Sequence, residues 1–238
     1  MPTLPASPQA LEDLVAANRI LAMEGVLDGY GHVSVRAEGR PGHFVMSRSL
    51  APPLVTLDDL VEYGPDSEPV SDTRRAYLER FIHGEVYRAR PDVMAVVHSH
   101  AESVVPFAIT RGKLRPVYHM ASFLWSGVPV FEMRKFRAES DLLIRDRETG
   151  EALARTLEAC TCVLMRGHGM TVVGDSIREA VFRAIYTATN AKLQMQAQQL
   201  EGPVEFLSDA EGRLATATNH ATLERPWELW KKKALATK

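Results

Sequence analysis

The chain has 238 residues, of which 45% are hydrophobic and 24% are charged, a composition typical of one large globular domain over residues 1–238. A net charge of −2 and the lack of a basic stripe argue against a nucleic-acid partner. The sequence has neither the roughly 18-residue apolar run of a membrane helix nor the regions of a signal peptide. We therefore expect a cytoplasmic protein without a membrane partner, in which Cys160 and Cys162 are reduced core thiols.

The N-terminal part of the chain predicts a helix followed by a β-hairpin. Residues 1–8 are expected to form a loose arm, and a Ser-Pro pair at its end starts a helix that stops at Gly25. A glycine-rich turn then enters an alternating strand over residues 32–36, and its hairpin partner is residues 43–47. The amides of this turn suit a bound anion, but a plain turn explains the glycines equally well.

The next segment contains the first candidate binding residues. Arg48 lies in a small polar loop, where it could bind a carboxylate or simply be solvated. Residues 56–59 resemble a capping box that opens a short helix, and residues 73–90 predict a strong amphipathic helix. On that helix Glu79 and His83 share a face. They form either a solvated polar pair or a site in which Glu79 faces a metal or a substrate.

Two histidines follow a buried strand predicted over residues 93–97. Residues i and i+2 of an extended chain project from the same face, so His98 and His100 are spaced to bind one metal ion. In the alternative interpretation of this motif, the two histidines only end the strand and form hydrogen bonds with the backbone. His168, between two glycines at a bend, is a plausible third ligand.

The C-terminal half intermixes helices and strands, which predicts an α/β or α+β domain. Its tail, residues 201–238, carries Trp227 and Trp230, which pack either on a neighbouring subunit or on the chain's own core. The other predicted elements are a short helix at 102–109, strands at 115–120 and 128–133, a helix at 138–158 interrupted at Gly150, strands at 161–165 and 170–173, and a helix at 176–200.

Several motifs together resemble those of the class II aldolase/adducin family. The combination consists of Glu79, His98-Ser99-His100 and Gly167-His168-Gly169. The turn Gly31-His32-Val33-Ser34-Val35-Arg36 is similar to the family's Gly-Asn-Val-Ser-Val-Arg, and residues 90–100 are similar to its helix-to-strand junction. The resemblance extends over about residues 10–200.

This resemblance implies a fold, an assembly and a cofactor. The implied fold is a three-layer α/β/α domain around a mostly antiparallel sheet, and the implied assembly is a homotetramer with active sites between subunits. The metal ligands carry over to His98, His100, His168 and Glu79. One divalent ion per subunit is expected, with Mn2+ and Zn2+ as the first candidates and Fe2+ and Co2+ as further ones. The tail would then have a role in a neighbour's pocket.

The departures from the sugar-phosphate aldolases indicate a different substrate. Those enzymes hold phosphate with an Asn, a Thr-Gly loop and a Ser-Ser pair, and here the positions are His32, Arg48-Ser49 and Tyr77-Leu78. A phosphate would lose several charge-assisted hydrogen bonds of roughly 1.5–3 kcal/mol each. An Arg with a Tyr and a His suits a flat aromatic acid better. The pattern is similar to the family's decarboxylase branch, which acts on hydroxylated phthalates and pyridine dicarboxylates.

The sequence therefore predicts an enzyme, a metal-dependent carbon–carbon lyase that decarboxylates a hydroxylated aromatic or pyridine dicarboxylate. Glu79 is the first candidate for proton transfer and His119 the second. Arg48 would hold the non-reacting carboxylate, assisted by Ser49, His32 and Tyr77. Three alternatives stay open: an aldolase or epimerase acting on a small hydroxy-carbonyl or sugar, an iron-dependent oxygenase, and a non-catalytic scaffold like the adducin head domains.

Overall fold

A computed structural model describes residues 4–236. Within this range the chain forms seven α-helices and seven β-strands, joined by short 3-10 turns. They are α1 (Pro8–Met23), β1 (His32–Arg36), β2 (Phe44–Ser47), β3 (Leu60–Tyr63), α2 (Arg80–Ala89), β4 (Ala95–Ser99), α3 (Val105–Ile109), β5 (Val130–Phe131), α4 (Arg147–Leu157), β6 (Cys162–Met165), β7 (Gly169–Gly174), α5 (Ile177–Ala197), α6 (Asp209–His220) and α7 (Glu224–Ala236).

All seven strands form one mixed sheet with the order β3-β2-β1-β4-β7-β6-β5. Every neighbouring pair is antiparallel except β5 and β6, which are parallel. Alternate residues of the central strand β4 join different hydrophobic clusters, because successive side chains point to opposite faces. Val96 lies in the cluster that contains α2 and α4, whereas Ala95 and Val97 lie in the cluster that contains α1, α5 and α7. The expected α/β fold with a mostly antiparallel sheet is confirmed.

The N-terminal predictions agree with the structure. Helix α1 begins at Pro8, and the Ser7 hydroxyl accepts a hydrogen bond from the amide of Ala10 at 3.3 Å. Strands β1 and β2 pair as the expected antiparallel hairpin. Of the predicted arm, residues 1–3 lie outside the described range, while Leu4 and Ala6 pack against the core. No helix within residues 4–236 is long and apolar enough to cross a bilayer.

The helix predicted over residues 73–90 begins seven residues later, at Arg80. The preceding backbone makes other hydrogen bonds: the Asp72 carboxylate accepts from the amide of Arg74 at 2.8 Å, and the carbonyl of Arg75 accepts from the amide of Ser49 at 2.7 Å. Glu79 is the N-cap residue. The segment before the helix is therefore a loop that packs beside the polar loop after β2, and the sequence prediction was wrong there.

The helix predicted over residues 138–158 is also shorter than expected, and Gly150 does not interrupt it. Helix α4 starts after Asp146, whose carboxylate accepts from the amide of Thr149 at 2.9 Å. A Cβ on Gly150 would lie 2.7 Å from the carbonyl oxygen of Phe81. The glycine therefore permits the close packing of α4 against α2.

Three further strand and helix predictions differ from the structure. Residues 115–120 form no strand, because the amides of Arg115 and Val117 donate to Gln194 and Asn190 on α5 rather than to a neighbouring strand, both at 2.9 Å. The capping box at residues 56–59 is present, but it closes one 3-10 turn and β3 follows directly. The strand predicted at 128–133 shrinks to the two residues of β5.

The tail, for which two packing modes were open, forms α6 and α7. Trp227 and Trp230 are 1% and 7% exposed and belong to the chain's own core. Helix α6 packs on the 3-10 segment His119–Ser126, where the Asn219 amide donates to the carbonyl of His119 at 2.9 Å. Docking of the tail on a neighbouring subunit stays a prediction.

Because Trp227 fills the core, we expect Trp227→Ala to lower the free energy of unfolding by about 3–5 kcal/mol. Leu229→Ala is the matched control, since Leu229 is 53% exposed on the same helix and its loss should change stability by less than about 0.5 kcal/mol. Urea denaturation of both variants measures the difference. Equal stabilities would contradict the packing described here.

Candidate metal centre

Three histidines and one glutamate converge at one end of the central strands. His98 and His100 come from the end of β4, His168 from the turn between β6 and β7, and Glu79 from the start of α2. These are the four residues that the sequence predicted as metal ligands. Strands β4 and β7 are antiparallel and Ser99 pairs with Met170, so the end of one strand meets the beginning of the other.

The four side chains direct one ligand atom each toward a common point, and these atoms all lie within 4.8 Å of one another. The Nε2 atom of His100 is 3.3 Å from that of His98 and 2.9 Å from that of His168. The Oε2 atom of Glu79 is 3.4 Å from His98 Nε2 and 3.3 Å from His168 Nε2. The alternative in which His98 and His100 merely bond to backbone is therefore wrong.

The atoms of His168 and Glu79 that face away from the cluster form hydrogen bonds with the backbone. His168 Nδ1 donates to the carbonyl of Leu142 at 3.0 Å, which leaves the lone pair of a neutral ring on Nε2. Glu79 Oε1 accepts from the amide of Ile144 at 3.0 Å, which leaves Oε2 for the cluster. Such bonds fix the orientation of metal-binding side chains.

This donor set fits a divalent ion. Ligand atoms about 2.0–2.1 Å from a tetrahedral ion lie about 3.3 Å from one another, close to the separations between the imidazoles here. Burial lowers the pKa of His168, but the hydrogen bond to Glu79 and the charge of Glu79 raise it above its usual value, so without a metal a proton lies between His168 Nε2 and Glu79 Oε2. A cation satisfies both. Imidazoles with one carboxylate suit zinc, manganese, iron and cobalt.

Burial and neighbouring charges shift the pKa values of this cluster. Burial raises the pKa of Glu79, but the charge of His98 and the hydrogen bonds from His168 and His98 outweigh it, so the pKa lies well below its usual range. Burial, together with the charges of His98 and His168, lowers the pKa of His100 to about 4. At neutral pH the His100 ring is therefore neutral and the Glu79 carboxylate anionic, as metal-binding groups require.

Two glycines allow the backbone to approach closely at the site. Gly31 has a φ of +86°, and a Cβ there would lie 2.8 Å from the carbonyl oxygen of His98. A Cβ on Gly169 would lie 2.0 Å from the carbonyl oxygen of Ser99. A side chain at either position would displace the strand end that carries His98 and His100.

The cluster opens into a cavity of about 540 Å³. Of the predicted substrate-binding residues, His32, Ser49 and Tyr77 line it, together with the ligands Glu79 and His100. The His32 ring lies 4.6 Å from the ring of Tyr77 and 5.0 Å from that of His98. Three of the four predicted substrate-binding residues therefore share one cavity with the cluster.

Arg75 also lines the cavity, and sequence reasoning missed it. Its guanidinium forms no ion pair with any acidic side chain of residues 4–236, and the side chain is exposed. No local motif distinguishes Arg75 from the arginines around it, because the whole segment 73–90 was expected to be helical. The loop before α2 turns it toward the site.

Arg48 does not line the cavity, in contrast to the prediction. Its Nε donates to the Asp59 carboxylate at 2.8 Å. The capping box explains this pairing, because Asp59 is the last residue of the 3-10 turn and points back toward Thr56 and Arg48. An ion pair within the chain therefore engages the guanidinium that was expected to hold a substrate.

His119 lies away from the cluster within this chain. It is exposed at the start of the 3-10 segment that packs on α6, and it does not line the cavity. A role for His119 as proton donor would require a site on a neighbouring subunit, and it stays a prediction.

His83 is completely buried, so the interpretation of Glu79 and His83 as a solvated pair was wrong. The ring contacts His32, with 2.6 Å between His83 Nε2 and His32 Nδ1, and it contacts Ser34 Oγ at 2.6 Å. Burial, with the charge of His98, lowers the pKa of His83 to about 3. The sequence does contain a signal for this contact: His32 and Ser34 are two residues apart on β1 and share a face, and His83 and Tyr87 are four residues apart on α2 and share a face.

The sequence comparison identifies the family. The profile described as "Class II Aldolase and Adducin N-terminal domain" matches residues 12–195. The chain belongs to this family. The solved structure of an aldolase II superfamily protein from Pseudomonas syringae matches the fold with a TM-score of 0.80 at 23% identity, over 96% of this chain and 94% of that one.

Several members of the class II aldolase family with sequences similar to this chain are decarboxylases. The chain is 43% identical to decarboxylase tropJ of Talaromyces stipitatus, over 95% of this chain and 94% of that protein. It is 32% identical to a 3,4-dihydroxyphthalate decarboxylase of a Terrabacter species, over 79% of this chain and 81% of that protein. The chain is an enzyme, as the sequence motifs predicted.

We expect this class II aldolase family member to bind about one divalent ion per chain. His100→Ala should leave well under half of the protein loaded after dialysis, because His100 Nε2 is close to both other imidazoles. His43→Gln is the control, since His43 pairs with Glu62 outside the cluster. Elemental analysis after loading with zinc or manganese gives the stoichiometry, and full occupancy in His100→Ala would contradict the assignment.

Proposed function

We propose that the chain catalyses the metal-dependent, non-oxidative decarboxylation of a hydroxylated aromatic dicarboxylate. The observation that carries the proposal is the four-residue cluster, two of whose members line a cavity that is also lined by Arg75, which forms no ion pair with an acidic side chain of residues 4–236. Decarboxylases among the relatives support the reaction type, and a relative named for 3,4-dihydroxyphthalate supports the substrate class. A pyridine dicarboxylate with an adjacent hydroxyl offers the same oxygen atoms.

The cavity suits a single flat ring. Its volume of about 540 Å³ lies within the range of small-molecule sites. Leu50, Leu78 and Leu143 provide apolar walls, and Tyr77 provides an aromatic one. Polar groups lie at two places, the cluster and the guanidinium of Arg75, and a diacid has polar groups at two places as well.

Arg75 replaces Arg48 as the proposed anchor of the non-reacting carboxylate. A guanidinium binds a carboxylate with two parallel hydrogen bonds. Arg75 is free to do so, whereas Arg48 is paired with Asp59. Ser49, which also lines the cavity, is a further donor for this carboxylate, whereas the Tyr77 hydroxyl already donates to the carbonyl of Leu50.

His98, His100, His168 and Glu79 would hold the metal ion, which, when bound, draws negative charge from the substrate oxygens as the carboxyl group leaves. The carbon that loses CO2 then needs a proton. Glu79, anionic at neutral pH, is the proposed carrier: it would take the proton of the substrate hydroxyl through Oε2 and return it to that carbon, because the amide of Ile144 engages Oε1. Leu50, Leu78 and Leu143 exclude water from the reacting ring.

The finer expectations on cofactor and assembly belong to this proposal. Mn2+ or Zn2+ is the proposed ion, and a homotetramer with active sites between subunits is the proposed assembly. In that assembly residues 201–238 would contact a neighbour with the surface they do not bury. Two hydrophobic clusters on opposite faces of the sheet support the three-layer α/β/α arrangement, and the charge and composition support a cytoplasmic location.

A screen for CO2 release tests the reaction. We expect the metal-loaded chain to release CO2 from a hydroxylated phthalate or pyridine dicarboxylate without oxygen, to lose activity with a chelator and to regain it with Mn2+ or Zn2+. Glu79→Gln should lower kcat by about 10²-fold or more at matched metal occupancy. Cleavage of sugar phosphates would instead indicate an aldolase, and dependence on O2 would indicate an oxygenase.

Replacement of the two arginines separates their roles. Arg75→Gln should raise KM for the diacid by about tenfold or more, because a charged hydrogen bond contributes about 1.5–3 kcal/mol. Arg48→Gln should leave KM within about threefold and lower stability instead, since it breaks the pair with Asp59. Steady-state kinetics and urea denaturation measure both variants. The opposite pattern of KM values would indicate that Arg48, and not Arg75, binds the non-reacting carboxylate.

A further inference from the structure

A chain of four buried polar side chains runs from the cavity wall into the interior. It connects His32, His83, Ser34 and Tyr87, with 2.6 Å from His32 Nδ1 to His83 Nε2, 2.6 Å from His83 Nδ1 to Ser34 Oγ, and 2.8 Å from Ser34 Oγ to the Tyr87 hydroxyl. All four residues are at most 4% exposed. Strand β1 contributes His32 and Ser34, and α2 contributes the other two.

The hydrogen bonds among these four side chains all point the same way, because each contact contains one hydrogen atom. Among the described residues, Ser34 Oγ is the acceptor within hydrogen-bond distance of the Tyr87 hydroxyl. Tyr87 therefore donates to Ser34, and Ser34 donates to His83 Nδ1. The proton of neutral His83 then lies on Nε2, and it donates to His32 Nδ1.

The opposite direction would leave a buried hydrogen without an acceptor. If His32 donated to His83, then His83 would donate to Ser34, and the hydrogen of either Ser34 or Tyr87 would face no acceptor among residues 4–236. Leaving a buried donor unpaired costs its full desolvation, which is why native structures avoid it. This hydrogen-bonded network ends at the buried residue Tyr87, so it does not connect the cavity to solvent.

We propose that Tyr87, Ser34 and His83 position His32 as the tautomer with its proton on Nε2, a fixed hydrogen-bond donor that selects substrates with an oxygen acceptor beside the metal centre. His32 lines the cavity, its ring lies 5.0 Å from that of His98, and Nδ1 is engaged by His83. The donor faces a carboxylate or phenolate oxygen. Only the identity of this acceptor rests on the proposed function; the tautomer does not.

The tautomer can be observed directly by NMR of the zinc-loaded full chain labelled with 15N in its histidine rings. His32→Gln identifies the signals of His32 by their loss. The expected result is a protonated Nε2 and an unprotonated Nδ1 on His32. A protonated Nδ1, with or without a proton on Nε2, would overturn the proposal whether or not the chain is a decarboxylase.

Kinetics of two variants at position 83 test the positioning role. His83→Leu removes the donor and should raise KM for 3,4-dihydroxyphthalate about tenfold, whereas His83→Gln keeps an N–H donor and should stay within about threefold of the original KM. Unchanged KM in His83→Leu, or an equal rise in both variants at similar stability, would overturn the role. If 3,4-dihydroxyphthalate is not turned over, the proposed function fails separately and the NMR result alone decides the tautomer.

Discussion

The antiparallel register of β4 against both of its neighbours is the constraint on which the site depends. It places His98 opposite His32 on β1 and brings the end of β4 to the start of β7, next to the turn that carries His168. A shift of one residue would turn every β4 side chain to the other face. Burial of all five β4 residues opposes such a shift, since alternate residues fill different cores.

The start of α2 at Arg80, later than the sequence predicted, positions the remaining residues of the site. Glu79 lies at the N-cap of α2 rather than within a longer helix, and the loop before it turns Arg75 toward the cavity. The same helix presents His83 and Tyr87 to β1 one turn apart. The residue at which α2 begins therefore determines where Glu79 and Arg75 lie and how His83 contacts His32.

The three histidines of the candidate metal centre were predictable from local motifs, whereas Glu79 was assigned through the resemblance to the family. His98 and His100 are two apart on a strand, and His168 lies between two glycines at a bend, so each pattern is visible in a few residues. Arg48 and Arg75 were not predictable in this way. Both lie in polar loops, and the position of Asp59, set by its 3-10 turn, decides that Arg48 is paired.

The sequence by itself determined the family, the mixture of helices and strands and the four residues of the candidate centre, since these follow from periodicity and short motifs. Tertiary structure decided where α2 and α4 begin, that residues 115–120 bond to α5 instead of forming a strand, and that both tail tryptophans pack inward. It also decided which arginine faces the cavity. The physical reason is that hydrogen-bond partners distant in sequence compete with local propensity, and the backbone adopts the conformation that leaves fewest buried groups unpaired.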